Sequence, residues 1–132
     1  MKALDTTILE KYLTRETNRN SNSLNPLFAK YPDSNHFFVN DVVIIEVANL
    51  LEENIKFDNS HIVAVIREFV YSDKIVLQER ENIERALTYY TEKNRPFAEC
   101  LKQVLNENNH CSETIRASEQ KTGSMAYSKL AG

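Results

Sequence analysis

Apolar residues fall along this chain in short blocks whose spacing switches between that of a strand and that of a helix. Residues 2–5, Lys-Ala-Leu-Asp, make a short apolar start that ends in a carboxylate, and residues 6–14 place Ile8, Leu9, Tyr12 and Leu13 on one helical face. A strand followed by a helix is predicted. Residues 15–25 are polar and rich in Asn and Ser, a loop or weak helix start. Residues 26–31 then form a short helix with Pro26 near its first turn and Pro32 as its stop. Residues 36–39, His-Phe-Phe-Val, read as a second strand. Next, Asn40 or Asp41 caps a helix over 42–51 that is apolar on nearly every side, which predicts deep burial.

Asp58 or Ser60 caps the following helix, in which Ile62, Val63, Val65, Ile66, Phe69 and Val70 keep helical spacing through Tyr71. Residues 74–77, Lys-Ile-Val-Leu, have the β-branched character of an inner strand, and residues 79–91 return to helix with Ile83, Ala86, Leu87 and Tyr90 aligned. A last helix, marked by Phe97, Cys100, Leu101, Val104 and Leu105 at helical spacing, begins near Pro96 and ends around Asn106. Residues 113–117 are a modest strand candidate and residues 128–130 a final edge strand. Strands alternating with helices imply parallel pairing, because parallel neighbours need a crossover that is usually helical. The expected architecture is α/β: a short central parallel sheet between two helical layers, built as one domain over 1–132.

Composition narrows the function classes. Hydrophobic residues are 42% of the chain and charged ones 27%, so it has enough apolar content to fold. No signal-peptide-like start or apolar run of membrane-span length is present, and a cytoplasmic protein with no membrane partner is expected. Cys100 and Cys111 match no disulfide or zinc pattern and are read as two reduced, half-buried thiols. His36, His61 and His110 show no zinc or catalytic spacing. The two glycines exclude glycine-rich phosphate loops. With 19 acidic against 16 basic residues the net charge is −3, so any nucleic-acid contact must be local. Lys11, Arg15, Arg116 and Lys121 are candidates for phosphate contact, with a solvated surface as the default for each.

Ligands of parallel α/β sheets bind outside the carboxyl ends of the strands. Asp5 stands at such an end, and either a site role or a simple helix cap accounts for it. Glu46 interrupts an apolar helix. If it is buried, it must be ion-paired, protonated or metal-bound, since an uncompensated buried carboxylate costs several kcal/mol or more. Glu99 lies in the first turn of its helix, off the apolar stripe, where complementing the helix dipole is a sufficient role. Glu119 follows the weak strand at 113–117.

Met1-Lys-Ala-Leu-Asp-Thr6 followed by Ile8-Leu9 and Tyr12-Leu13 resembles the opening of the VapC-type PIN-domain toxins. Val39-Asn-Asp-Val-Val-Ile-Ile-Glu-Val-Ala-Asn-Leu-Leu51 resembles that family's second block, an apolar helix with one Glu. Phe97-Ala-Glu-Cys-Leu101 resembles its Phe-Ala-Asp-x-Leu block, and Ala117-Ser-Glu119 with Lys121 its final Thr-Phe-Asp block. The four blocks agree in order and spacing over essentially the whole chain. Asp5 and Glu46 keep the family's acids, Glu99 and Glu119 stand where it has Asp, Thr6 matches its Thr, Thr7 replaces its Asn, and Pro96 replaces an acidic residue.

The resemblance implies a PIN-like fold and a metal-dependent endoribonuclease toxin of a type II toxin–antitoxin pair. Asp5, Glu46, Glu99 and Glu119 would serve as catalytic and Mg²⁺- or Mn²⁺-binding residues, supported by the hydroxyls of Thr6 and Thr7. It further implies an RNA substrate, a VapB-like antitoxin and a homodimer. The replaced acids motivate a second reading, a catalytically degenerate PIN domain acting as a protein- or RNA-binding regulatory module. A third is a phosphohydrolase or DNA nuclease using the same metals.

Overall fold

The computed structural model describes residues 1–14 and 24–117. Over these, the order is β1 (Lys2–Ala3), α1 (Thr6–Leu13), α2 (Asn25–Ala29), β2 (Phe37–Val39), α3 (Asp41–Asn49), α4 (Asn59–Tyr71), β3 (Ile75–Leu77), α5 (Arg80–Glu92) and α6 (Phe97–Asn108). A π-helical segment, Leu50–Asn54, continues α3. The strands form a parallel sheet in the order β1-β2-β3. The α/β class with a short parallel sheet is therefore as the sequence predicts. Among the described residues no helix is long and apolar enough to cross a membrane.

Register shows where the core lies. Phe37 pairs with Ile75 and Val39 with Leu77, so these four side chains share one sheet face, and all are buried. Phe38 and Val76 point to the other face and are half-buried. Around the sealed face α1 packs on α3, α3 on α6, α4 on β3 and α5, and α5 on α6. Leu9, Ile44, Val47, Ile66, Phe69, Phe97 and Leu101 form part of this one core.

Helix starts follow the side chains available at them. Asn40 Oδ1 accepts the Val43 N–H at 2.9 Å and caps α3, while Asp58 Oδ1 accepts the His61 N–H at 2.9 Å and caps α4. Pro96 precedes α6 and has no side-chain oxygen to offer as a cap, so the cap comes from elsewhere: Glu52 Oε2 accepts the Phe97 N–H at 3.0 Å. Glu52 belongs to the π-helical segment. That widened turn closes with an Ile55 N–H to Leu50 carbonyl bond of 3.0 Å.

Three expectations are corrected. Residues 113–117 form no strand; Ile115, their largest apolar side chain, is exposed, so no buried face rewards pairing there. The thiols are not both half-buried: Cys100 faces the core from α6 and Cys111, past its end, is exposed. The helix over 42–51 is not buried on every side, since Val42 is 62% exposed. The strand expected at 128–130 and most of the 15–25 loop lie outside the described residues.

With so few glycines, left-handed positions fall to other residues. Lys56 (φ 60°) ends the π-helical segment and His110 (φ 62°) ends α6. A side chain bearing Cβ in that region costs ~1–2 kcal/mol, partly offset for glycine by its greater unfolded freedom. Lys56→Gly and His110→Gly are each expected to stabilise the fold by about 0.5–1 kcal/mol in urea unfolding. Phe97→Ala, which empties a fully buried site edge-on to Tyr90, should cost about 3–5 kcal/mol. A loss on introducing either glycine would contradict this account of the helix ends.

Candidate functional site

Because all three strands run parallel, the turns leaving them collect at one edge of the sheet. Leu4 extends the pairing past β1 through a 2.9 Å bond from its N–H to the Phe38 carbonyl, which carries Asp5 to that edge. There Asp5 caps α1, its Oδ1 accepting the Thr6 N–H at 2.8 Å. Thr6 then turns its hydroxyl outward and donates to Glu46 Oε1 at 2.5 Å. One threonine thus joins the acid at the end of β1 to the acid on the second turn of α3, across forty residues of sequence.

Glu46 is exposed, not buried. α3 turns Val43, Ile44, Val47 and Ala48 inward, and leaves Val42 and Glu46, one turn apart, on its outer stripe. No burial penalty therefore has to be offset by a metal or an ion pair. What marks Glu46 is its hydrogen bond to Thr6. Asp5 is both cap and edge carboxylate, so the two readings of it are not alternatives.

Glu99 is otherwise engaged. Arg116 Nη1 lies 2.6 Å from its Oε1 and Lys102 Nζ 2.9 Å from its Oε2. The Lys102 ammonium first, and then the Arg116 guanidinium, hold its carboxyl below the usual range. Thr7 is exposed in the first turn of α1. Glu119, Lys121 and Arg15 lie outside the described residues. Among the described residues no group of three or more His, Cys, Asp or Glu side chains stands together as a metal site. Asp5 and Glu46, exposed oxygen donors linked through Thr6, are the two residues here whose chemistry matches a hard divalent cation. Glu99, held by its own two cations, is not brought together with them in such a group.

A further carboxylate at this edge was weighed in the sequence only as a helix cap. Asp41 follows β2 as Asp5 follows β1. Its N–H donates to Gln78 Oε1 at 2.7 Å, which ties α3 to the end of β3. Its Oδ1 is buried with no hydrogen-bond partner. Burial, and then the nearby Glu79 charge, push its carboxyl above the usual range. Its position immediately after a strand was the signal that could have found it. Lys2 lines one pocket with Asp5 and lies 5.9 Å from the Tyr31 ring, while Lys11 and Lys30 lie 6.0 and 5.6 Å from the Tyr12 ring.

Comparison with known proteins agrees with the resemblance drawn from the four sequence blocks. A VapC ribonuclease of Aquifex aeolicus (strain VF5) is 28% identical to this chain over 105 residues, which cover 79% of this chain and 77% of that protein. No family model matches the chain. No solved structure matches it.

Asp41 supplies a test of the edge. Its folded pKa is raised above the ordinary 3.8, so the folded state holds its proton longer than the unfolded chain does. Ionised Asp41 therefore destabilises the fold as pH rises through the raised value, and the penalty vanishes below 3.8. Asp41→Asn is expected to stabilise at pH 7 and to gain nothing at pH 3.5, read by thermal unfolding. An equal effect at both pH values would show that burial of the charge is not the cause.

Proposed function

We propose that this VapC-like chain is a metal-dependent endoribonuclease toxin of a type II toxin–antitoxin pair, hydrolysing RNA phosphodiester bonds. The observation that carries the reading is the Asp5–Thr6–Glu46 unit at the carboxyl edge of the sheet, formed by residues that match the family's first two acidic blocks. In this reading Asp5 and Glu46 hold Mg²⁺ or Mn²⁺, Glu99 completes the set, and Glu119 orients water or a second ion. A divalent ion held there supplies charge neutralisation at a phosphodiester oxygen and a more acidic water.

The chain's own residues supply position. The α1 backbone fixes Asp5, and the Thr6 hydroxyl fixes a Glu46 side chain with three rotatable bonds, so both carboxylates are oriented before a ligand arrives. Thr7 stands next to them in the first turn of α1. For a protein of net charge −3, Lys2 in the pocket beside Asp5 gives an RNA phosphate a local attraction that the whole molecule lacks. A cleft of about 450 Å³ between α2 and α4, lined by Phe28, Ala64, Arg67 and Tyr71, suits an apolar segment of a VapB-like antitoxin. Assembly as a homodimer belongs to the same proposal.

One observation favours the second reading, a catalytically degenerate PIN domain that binds protein or RNA. The third acid carries two cations of its own chain. The two readings separate in one experiment on Mn²⁺ affinity, by calorimetry, and on RNA cleavage. For a ribonuclease, the parent binds Mn²⁺ and cleaves, and Glu46→Gln lowers affinity at least ~10-fold and abolishes cleavage. A parent without metal affinity or cleavage at millimolar Mn²⁺ contradicts catalysis. Cleavage that appears only when Asp replaces Glu99 and Glu119 and Asn replaces Thr7 identifies the degenerate domain.

A further inference from the structure

Asp5 shares a cavity of about 250 Å³ with Lys2, Ile8, Tyr31 and Phe37. Of the two aromatic residues in it, Phe37 is fully buried and Tyr31 is 39% exposed. Phe37 supports the Tyr31 ring edge to face at 6.3 Å, and Phe28 in turn stacks on Phe37 at 5.1 Å. The backbone of Tyr31 is pinned as well: its N–H donates to the Phe28 carbonyl at 3.1 Å, and its carbonyl accepts the Ser34 N–H at 3.0 Å. An aromatic face is thus held in place before any ligand arrives, which lowers the ordering cost of stacking on it.

The polar groups around this ring are free to act on a ligand. Among the described residues the Tyr31 hydroxyl forms no hydrogen bond and Lys2 no ion pair, although its ammonium lies 5.9 Å from the Tyr31 ring centroid and Asp5 lines the same cavity. The volume is below the ~300–1,000 Å³ of pockets that enclose a whole drug-sized ligand, so it takes one unit of a longer one. A π-face, a cation and a carboxylate of the proposed metal site are the groups that one nucleotide beside a cleaved bond calls for. Bases stack on aromatic side chains, and phosphates pair with lysine.

We infer that Tyr31 is a base-stacking platform and Lys2 a phosphate contact, which together position one nucleotide of the RNA against Asp5. Used in this way, the two residues deepen the ribonuclease reading and rest on it for the role of Asp5. A base lying on Tyr31 has left its own helical stack, so the RNA is single-stranded where it meets the cavity. Every base has a π-face, so Tyr31 contributes affinity and placement with little preference for sequence.

The test is binding of a fluorescent single-stranded RNA to the full chain, read by anisotropy over a series of salt concentrations. The parent is measured with EDTA, and a Glu46→Gln background that does not cleave is measured with Mg²⁺. Tyr31→Ala is expected to weaken binding about 5- to 100-fold at low and high salt alike, and Tyr31→Phe by less than about twofold. Lys2→Met should weaken binding mainly at low salt and flatten the slope of log K against log salt by about 0.7. A duplex of the same sequence should bind more weakly than the single strand and be indifferent to Tyr31→Ala. Unchanged affinity in Tyr31→Ala, or a duplex bound as tightly as the single strand, overturns the inference, and Mn²⁺-dependent cleavage by the parent then leaves the ribonuclease reading standing. A parent that neither binds nor cleaves single-stranded RNA overturns both. Should Tyr31→Ala fail to fold, the parent decides the matter: the Tyr31 ring proton resonances should move upfield on addition of RNA, and unmoved resonances in a chain that binds RNA contradict the proposal.

Discussion

The hydrogen bond from the Thr6 hydroxyl to the Glu46 carboxylate is the contact on which the candidate site depends. It joins the first turn of α1 to the second turn of α3, two elements that reach the same sheet edge from different strands. Beneath it, Leu9, Tyr12 and Leu13 on α1 and Val43, Ile44 and Val47 on α3 are buried, so the polar link sits on a packed foundation. A glutamate on a solvent-facing stripe would ordinarily sample many rotamers. Here one hydroxyl fixes its direction, and the same residue's N–H fixes Asp5.

Parallel topology explains why acids accumulate at this edge. Each strand points its carboxyl end the same way, and each is followed by residues that start a helix, where Asp and Asn are favoured as caps. Asp5 follows β1, Asn40 and Asp41 follow β2, and Gln78 and Glu79 follow β3. Helix-start chemistry and the proposed cation binding therefore draw on the same residues. At Asp41, burial first and then repulsion from the Glu79 charge raise the carboxyl above its usual range. Elsewhere cations sit on the acids and aromatic rings directly, Arg116 and Lys102 on Glu99 and Lys2, Lys11 and Lys30 over the Tyr31 and Tyr12 rings.

Much of this arrangement was legible in the sequence. The inward faces of α4, α5 and α6 apart from Leu105, which is exposed at the end of the α6 stripe, the three strands, and the caps at Asp5 and Asn40 all follow from local spacing and residue type. Glu46 drew attention in the sequence for a reason that does not hold: a nearly unbroken apolar helix suggested burial, whereas α3 leaves Val42 and Glu46 outside. Periodicity cannot reveal which stripe of such a helix lacks a neighbour. The Glu52 cap on α6 joins residues 45 apart, and the Arg116 grip on Glu99 depends on a chain reversal after the helix. Neither leaves a local pattern. The left-handed Lys56 and His110 were equally invisible, because those positions usually announce themselves with glycine.

The central claim is that the Asp5–Thr6–Glu46 unit is one side of a divalent-cation site. A crystal structure of the full chain grown with Mn²⁺, with anomalous scattering recorded at the manganese edge, tests it directly. The account predicts a manganese peak within coordination distance of carboxylate oxygens of both Asp5 and Glu46, with the Thr6 hydroxyl still on Glu46. Manganese bound elsewhere on the protein, with Asp5 and Glu46 contacting only solvent and Thr6, would contradict it.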